Sequence, residues 1–256
     1  MKEKVAVSKR LSENIAQMEE FFHECDDIKK KELMLGRQMD VACYLTFIEV
    51  SVDMGTSALS EVLKYLKGLG KEEIYQACKK LEKRAREEIN PKFSIYPGEE
   101  ILYTQDILEK LEKQEVLTMV DSSYILVEFM PWTPYSEIYR AVRNLTTKGY
   151  VPIVAHIERY PALREKGRVD ELIETGARMQ MNYRPVGGKW YAETTRWCRK
   201  MLKENKIHFL STDMHNMKAR KPDTKEAEAW MEKHLDRIYM RAVCYKNAQK
   251  IIEKSE

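Results

Sequence analysis

The chain has 256 residues, with 44 Lys and Arg against 41 Asp and Glu. A net charge of +3 gives no case for a nucleic-acid binder driven by bulk charge. Apolar residues at 43% and charged residues at 33% describe a globular chain rather than a disordered one. No apolar run approaches the roughly 20 residues that span a bilayer, and the opening Met1-Lys2-Glu3-Lys4-Val5 is charged where a signal peptide would be apolar. The five cysteines (Cys25, Cys43, Cys78, Cys198 and Cys244) are scattered, odd in number and never in a CxxC, so they read as reduced thiols of a cytoplasmic protein.

The composition changes near residue 90. All eight prolines lie at or after Pro91 and all four tryptophans at or after Trp132. Before that seam, Leu11, Ile15, Met18, Phe21 and Phe22 form the stripe of an amphipathic helix that Ser8 or Ser12 can cap. Two strands are expected next, Lys29–Leu35 and the β-branched and aromatic Met39–Val52, with Gly36 in the turn between them. Helices follow over Ser57–Leu66 and Lys71–Glu88, the second highly charged.

Past the seam, short apolar strands alternate with amphipathic helices. The expected strands are Ser94–Tyr96, Tyr124–Phe129, Val151–His156, Met179–Tyr183 and Ile207–Thr212. The expected helices are Gln105–Lys113, Tyr135–Thr147, Val169–Thr175, Trp190–Lys203, Lys225–Glu232 and a C-terminal one. Buried strands separated by helices argue for parallel βα units, and five in a row suggest part of a (β/α) barrel.

In such a barrel the chemistry sits at the C-terminal ends of the strands. Glu100 follows the Tyr96-Pro97-Gly98 turn, His156 closes one strand, and Asp213 and His215 close another. Positions two apart in extended chain point to one side, so Asp213 and His215 can share a centre. Carboxylate oxygen mixed with imidazole nitrogen suits Mn, Fe or Zn and suits Ca poorly. Each residue alone also has a plain structural explanation: a solvated turn glutamate, a hydrogen-bonded core histidine, a short pattern that recurs by chance. His208 reads as structural, and His23 and His234 as exposed on charged helices. Arg159, three residues after His156, and Arg220, five after His215, are ordinary surface cations if isolated, but candidate phosphate clamps beside a metal.

The stretches YPGEEILYT, SSYILVEF, GYVPIVAHIERYPAL, MQMN and STDMHNMKARKPD, with the terminal NAQKII, lie in one order over residues 93–250. In that order and spacing the chain resembles the PHP-type (polymerase and histidinol phosphatase) metal-dependent bacterial protein-tyrosine phosphatases that regulate capsule and exopolysaccharide synthesis. The resemblance implies an α/β fold, an incomplete or distorted (β/α) barrel over 93–256; before it the residue pattern gives a small α+β segment over 1–70 and a charged connecting helix over 71–92. It implies metal-ligand roles for Glu100, His156, Asp213 and His215 and phosphate or transition-state roles for Arg159 and Arg220. The implied metal is Mn2+, with Fe or Zn as substitutes. The implied reaction is hydrolysis of phosphotyrosine on a protein, such as a bacterial tyrosine kinase, by metal-activated water without a cysteine nucleophile.

The chain departs from that family in one respect. Family members begin with an HxH on the first strand, whereas this chain has five histidines, no HxH, and only His23 before residue 156. Four ligands fill one site or one and a half, so the expectation is one loosely held metal ion and slow turnover. The stretch SKRLSENIAQMEEFFHECDDIKKKELMLG, continued by CYLTFIEVSVD, weakly resembles the cytosolic region of spore-germination receptor A subunits. The alternatives to a phosphatase are therefore an inactive PHP remnant acting as a scaffold, and a germination-related interaction module.

Overall fold

The computed structural model describes the backbone of residues 31–34 and 43–47, parts of a helix within 75–87, residue 91, and residues 94–213 and 224–253. The strands are β1 (Lys31–Met34), β2 (Cys43–Phe47), β3 (Ser94–Gly98), β4 (Glu100–Leu102), β5 (Tyr124–Glu128), β6 (Val151–Val154), β7 (Arg178–Asn182) and β8 (Phe209–Ser211). The helices are α1 (Ile107–Glu112), α2 (Tyr135–Thr147), α3 (Arg168–Glu174), α4 (Tyr183–Val186), α5 (Glu193–Lys203), α6 (Lys225–His234), α7 (Arg237–Arg241) and α8 (Asn247–Glu253), with a π-helical turn at Ala242–Lys246 joining the last two.

Strands β4 to β8 form one parallel sheet in chain order. A second sheet runs β1-β2-β3, with β1 antiparallel to β2 and β2 parallel to β3 from Cys43 opposite Ser94 to Phe47 opposite Gly98. Only Glu99 separates β3 from β4, and β1 comes beside β8. No backbone ladder joins β1 to β8 among the described residues. The result is an α/β fold whose main sheet is parallel and packed with helices. The apolar segment before the seam thus lies against β3. The helix within 75–87 braces the same strand, because Glu82 accepts the Ile95 N–H at 2.9 Å.

The helices form where the period of 3.6 puts apolar residues in one stripe. In α2, Ile138, Ala141, Val142 and Leu145 are all fully buried against the sheet. Each of the larger ones stabilises the fold by about 1.5–3 kcal/mol through burial. The chain then reverses into β6 through Gly149, whose φ of +88° needs no Cβ relief. The N–H of Tyr150 reaches the Leu145 carbonyl at 3.1 Å and that of Gly149 reaches Thr146 at 3.0 Å, the paired bonds that end a helix with a left-handed residue. Helices α1, α3 and α5 end the same way, with Gln114, Gly176 and Asn205 as the left-handed residue.

Several elements differ from the sequence-based expectation: β4 and the short α4 are not among those expected, and α5 and β8 have other bounds. Helix α5 begins at Glu193, and Trp190 and Tyr191 before it are exposed. The preceding turn of helix, α4, ends at Gly187 and Gly188, which pack against α6 and Thr195 too closely for a side chain. Strand β8 is short because the chain leaves extended geometry at Asp213, where φ is +47°.

Alternation along the strands divides the molecule into two layers. Ile101, Ile125, Val127, Met179, Met181 and Leu210 face the helices. On the opposite face Leu126, Ile153, Ala155 and Phe209 form an apolar floor with Met119 and with Ala248 and Ile251 of α8. That inner face turns polar toward the C-terminal strand ends, where Glu128 lies two residues beyond Leu126 and Ser211 two beyond Phe209.

Candidate metal centre

Glu100 heads β4, Glu128 ends β5 and His156 follows β6, so three adjacent parallel strands deliver three side chains to one place. The His156 Nε2 lies 2.9 Å from Glu100 Oε1 and 3.0 Å from Glu128 Oε2. One ligand atom from each of the three lies within 4.8 Å of the others. Adjacent ligands of an octahedral ion with bonds of 2.0–2.1 Å stand about 3 Å apart, so this spacing fits a divalent cation without rearrangement of the backbone. Two oxygens and one nitrogen fit Mn, Fe or Zn better than Ca. Glu99 takes no part: alternation turns it the other way, where it accepts the Leu117 N–H at 2.8 Å.

Glu128 was not among the residues expected from the sequence. It is embedded in an apolar run, and its only signal is its place at the end of a parallel strand, opposite Leu102 in register.

Holding His156 takes several contacts. Its backbone is left-handed, with φ +32° and ψ +57°, and its N–H donates to Gln180 Oε1. A non-glycine residue in this region is uncommon and is held there by its surroundings. The ring Nδ1 faces the Tyr160 hydroxyl at 3.2 Å, and that hydroxyl accepts the Phe129 N–H at 3.0 Å. Burial works against a charged imidazole, but the Glu100 carboxylate and the hydrogen bonds to Glu100 and Glu128 outweigh it and raise the His156 pKa.

Asp213, buried just past the end of β8, is held by its own contacts. Its Oδ2 accepts from Asn182 Nδ2 at 3.0 Å and pairs with the Arg159 guanidinium. Arg159 extends from the turn after His156 to Asp213. The Glu158 carboxyl turns into the protein and accepts the Asn182 N–H at 3.4 Å, and burial raises its pKa. His215 and Arg220 lie outside the described residues. His208 is structural: its Nδ1 accepts the Met179 N–H at 3.1 Å. His234 is exposed and stacks on Trp230. Cys198 is buried in the core, and burial raises its thiol pKa, so it offers no thiolate. No helix among the described residues is long and apolar enough to cross a membrane.

A family model, capsular polysaccharide synthesis CpsB/CapC, matches residues 64–253, beginning upstream of the motif series read from the sequence. The tyrosine-protein phosphatase CpsB of Streptococcus pneumoniae is 37% identical over 161 residues, which cover 60% of this chain and 66% of that protein. The tyrosine-protein phosphatase YwqE of Bacillus subtilis is 32% identical over 165 residues, covering 62% of this chain and 63% of that protein. The chain therefore spans about two thirds of the length of these curated relatives. Crystal structures of YwqE and of the pneumococcal CpsB, described as unique metal-dependent tyrosine phosphatases, include a match with a TM-score of 0.62 and 26% identity over 71% of this chain and 73% of that one. The chain belongs to the CpsB/CapC family.

Proposed function

We propose that this member of the CpsB/CapC family hydrolyses phosphotyrosine on proteins, with a divalent metal ion, Mn2+ in the first instance, held by Glu100, Glu128 and His156, and with Asp213 and His215 as further ligands. The observation that carries the reading is the convergence of two carboxylates and one imidazole from three adjacent parallel strands, with the imidazole Nε2 2.9 Å and 3.0 Å from the two carboxylates. The substrate class follows from relatives named as tyrosine-protein phosphatases. A bacterial tyrosine kinase of a capsule system in the cytoplasm is the partner we infer.

An ion bound here would lower the pKa of water and offset phosphate charge. The residues of the chain do the rest. Glu100 and Glu128 supply the negative charge that draws the ion in, and His156 gives its Nε2 lone pair in place of a proton. Tyr160 and Gln180 fix the imidazole by its Nδ1 and its backbone N–H. Arg159 presents a planar fork suited to two non-bridging phosphate oxygens, with Asp213 steadying it from behind. Arg220 is assigned the same task. Cys198 is excluded as a nucleophile by its burial and its protonated thiol.

The test is a metal count after dialysis against Mn2+, coupled to hydrolysis of a phosphotyrosine peptide. We expect at least one equivalent of metal and metal-dependent release of phosphate, both lost in His156→Ala. A folded protein that retains no metal and releases no phosphate above a metal-only control overturns the proposal.

A further inference from the structure

Beneath the ligands lies a chain of hydrogen bonds that runs in one direction. Gln180 and Asn182 sit two apart on β7 and so project to the same face, between His156 on the β6 side and Asp213 on the β8 side. Ser211 of β8 lies opposite Asn182. All three side chains are buried, at 4%, 5% and 2% exposure.

The donors and acceptors admit a single arrangement. The His156 backbone N–H can only donate, so Gln180 must turn its oxygen toward it. The Gln180 Nε2 then faces the other way and donates to Asn182 Oδ1 at 2.9 Å and to Ser211 Oγ at 2.7 Å. Ser211 Oγ passes its own proton to Asn182 Oδ1 at 3.1 Å. With its oxygen taken twice, Asn182 has only its amide hydrogens to offer, and it donates one to Asp213 Oδ2 at 3.0 Å. The chain starts at a backbone N–H and ends at a carboxylate. Each bond polarises the next, so the donor end is directed at the anion.

Both ends of this chain are strained. His156 and Asp213 have φ of +32° and +47°, and neither is glycine. Such conformations persist where the surroundings over-determine them. The two residues bracket β7, and Gln180 and Asn182 are what connects them.

We propose that Gln180 and Asn182 are positioning residues that set the two halves of the metal site against each other: Gln180 holds His156 through its backbone, and Asn182 holds Asp213 with one oxygen engaged and its charge in place. The proposal rests on the metal reading above and goes beyond it, since neither residue is a ligand.

Gln180→Glu is the discriminating variant, because it keeps shape and the acceptor for the His156 N–H but removes both donors. The Asn182 amide must then reverse and present its oxygen to the Asp213 carboxylate. Asn182→Leu is the second variant, which removes the link at similar volume. The measurement is Mn2+ affinity of the full chain by electron paramagnetic resonance, with the line pattern of the bound ion and the melting temperature of the metal-free protein alongside. We expect affinity to fall ten- to a hundredfold in each variant, with a broadened bound-ion spectrum, while the metal-free melting temperature stays within a few degrees of the parent. Equal affinity and an unchanged spectrum in folded variants overturn the proposal alone. Variants that cannot fold at all put the network in the fold rather than in the site and overturn it as well. A parent that binds no Mn2+, or that binds it equally after Glu128→Gln, ends the metal reading and this inference together.

Discussion

Glu100 Oε1 and His156 Nε2 stand 2.9 Å apart with both side chains withdrawn from solvent. A buried carboxylate beside a buried imidazole is stable only when charge on one is matched on the other or on a bound cation. Glu128, 3.0 Å from the same nitrogen, makes the site anionic overall and able to take an ion. Glu128→Gln keeps the shape and removes that charge. Its retained metal after dialysis should fall at least tenfold against the parent, by elemental analysis. Undiminished retention would remove Glu128 from the site.

The same geometry sets a pH dependence. The His156 pKa is raised above its ordinary 6.5, the pull of Glu100 overcoming the opposing effect of burial. The folded state then binds the proton more tightly than the unfolded state. The resulting stability is full below pH 6.5 and is lost as pH rises through the folded value. The melting temperature of the metal-free protein should therefore fall from pH 6.5 upward through this group. Mn2+ takes the lone pair that the proton occupied, so its affinity should rise over the same range and its binding should release a proton. Calorimetric titrations in two buffers of different ionisation enthalpy measure that proton directly.

Strand ends were the most legible part of the sequence. Helix α2 runs over the residues its apolar spacing indicates, β5, β6 and β8 fall inside the expected apolar runs, and β7 starts one residue before its run, at Arg178. Glu100 opens β4 and His156 follows β6, and both come together with Glu128, while Asp213 follows β8 and meets Arg159 and Asn182. Glu128 escaped because the run from Tyr124 to Phe129 reads as wholly apolar. Only the pairing that sets Leu102, the last residue of β4, opposite it reveals that Glu128 is an end position. Gln180 and Asn182 escaped for a related reason: their roles depend on partners from β6 and β8, 24 and 31 residues away. The left-handed turns at Gln114 and Asn205 carry no glycine to announce them. The parallel pairing of β2 with β3 joins segments far apart in the chain and is fixed by tertiary packing, which no local pattern encodes.

His208 acts in the opposite sense to His156. Burial, and then the charge of Arg178, lower its pKa from 6.5 to about 4. The unfolded state binds the proton more tightly, so the stability is full above pH 6.5 and is lost as pH falls toward 4. The loss amounts to at most about 3 kcal/mol. His208→Gln keeps an acceptor for the Met179 N–H and cannot charge. Its urea midpoint should equal that of the parent near pH 7 and exceed it at pH 4.5. Equal midpoints at both values would assign the acid sensitivity elsewhere.

Arg159 is paired with Asp213 before any phosphate arrives. A cation bound at Asp213 competes with that pair, so Arg159→Ala should leave Mn2+ affinity unchanged or raise it. Turnover of the phosphotyrosine peptide at saturating Mn2+ should nevertheless fall about a hundredfold or more, the usual loss when one donor to the transition-state anion is removed. Lysine should not rescue it, because the fork is lost. A matched fall in metal affinity and turnover would make Arg159 a support of the site rather than a phosphate clamp.

Tyr160 joins the apolar core to the metal centre. It is fully buried, its ring packs edge-on to Phe129 with centroids 6.0 Å apart, and its hydroxyl lies between the Phe129 N–H and the His156 Nδ1. Tyr160→Phe keeps the ring packing and removes the oxygen alone. The Phe129 N–H is then buried without an acceptor at a cost of about 1–3 kcal/mol. For a chain of this size that corresponds to a melting temperature lower by about 2–10 °C. The imidazole also loses the contact that fixes its ring orientation, and outer contacts of this kind change metal affinity by tenfold or more. Differential scanning fluorimetry and Mn2+ titration on the same preparation should both move. If the melting temperature falls and the affinity does not, Tyr160 supports the fold alone. If neither moves, the hydroxyl holds nothing in place.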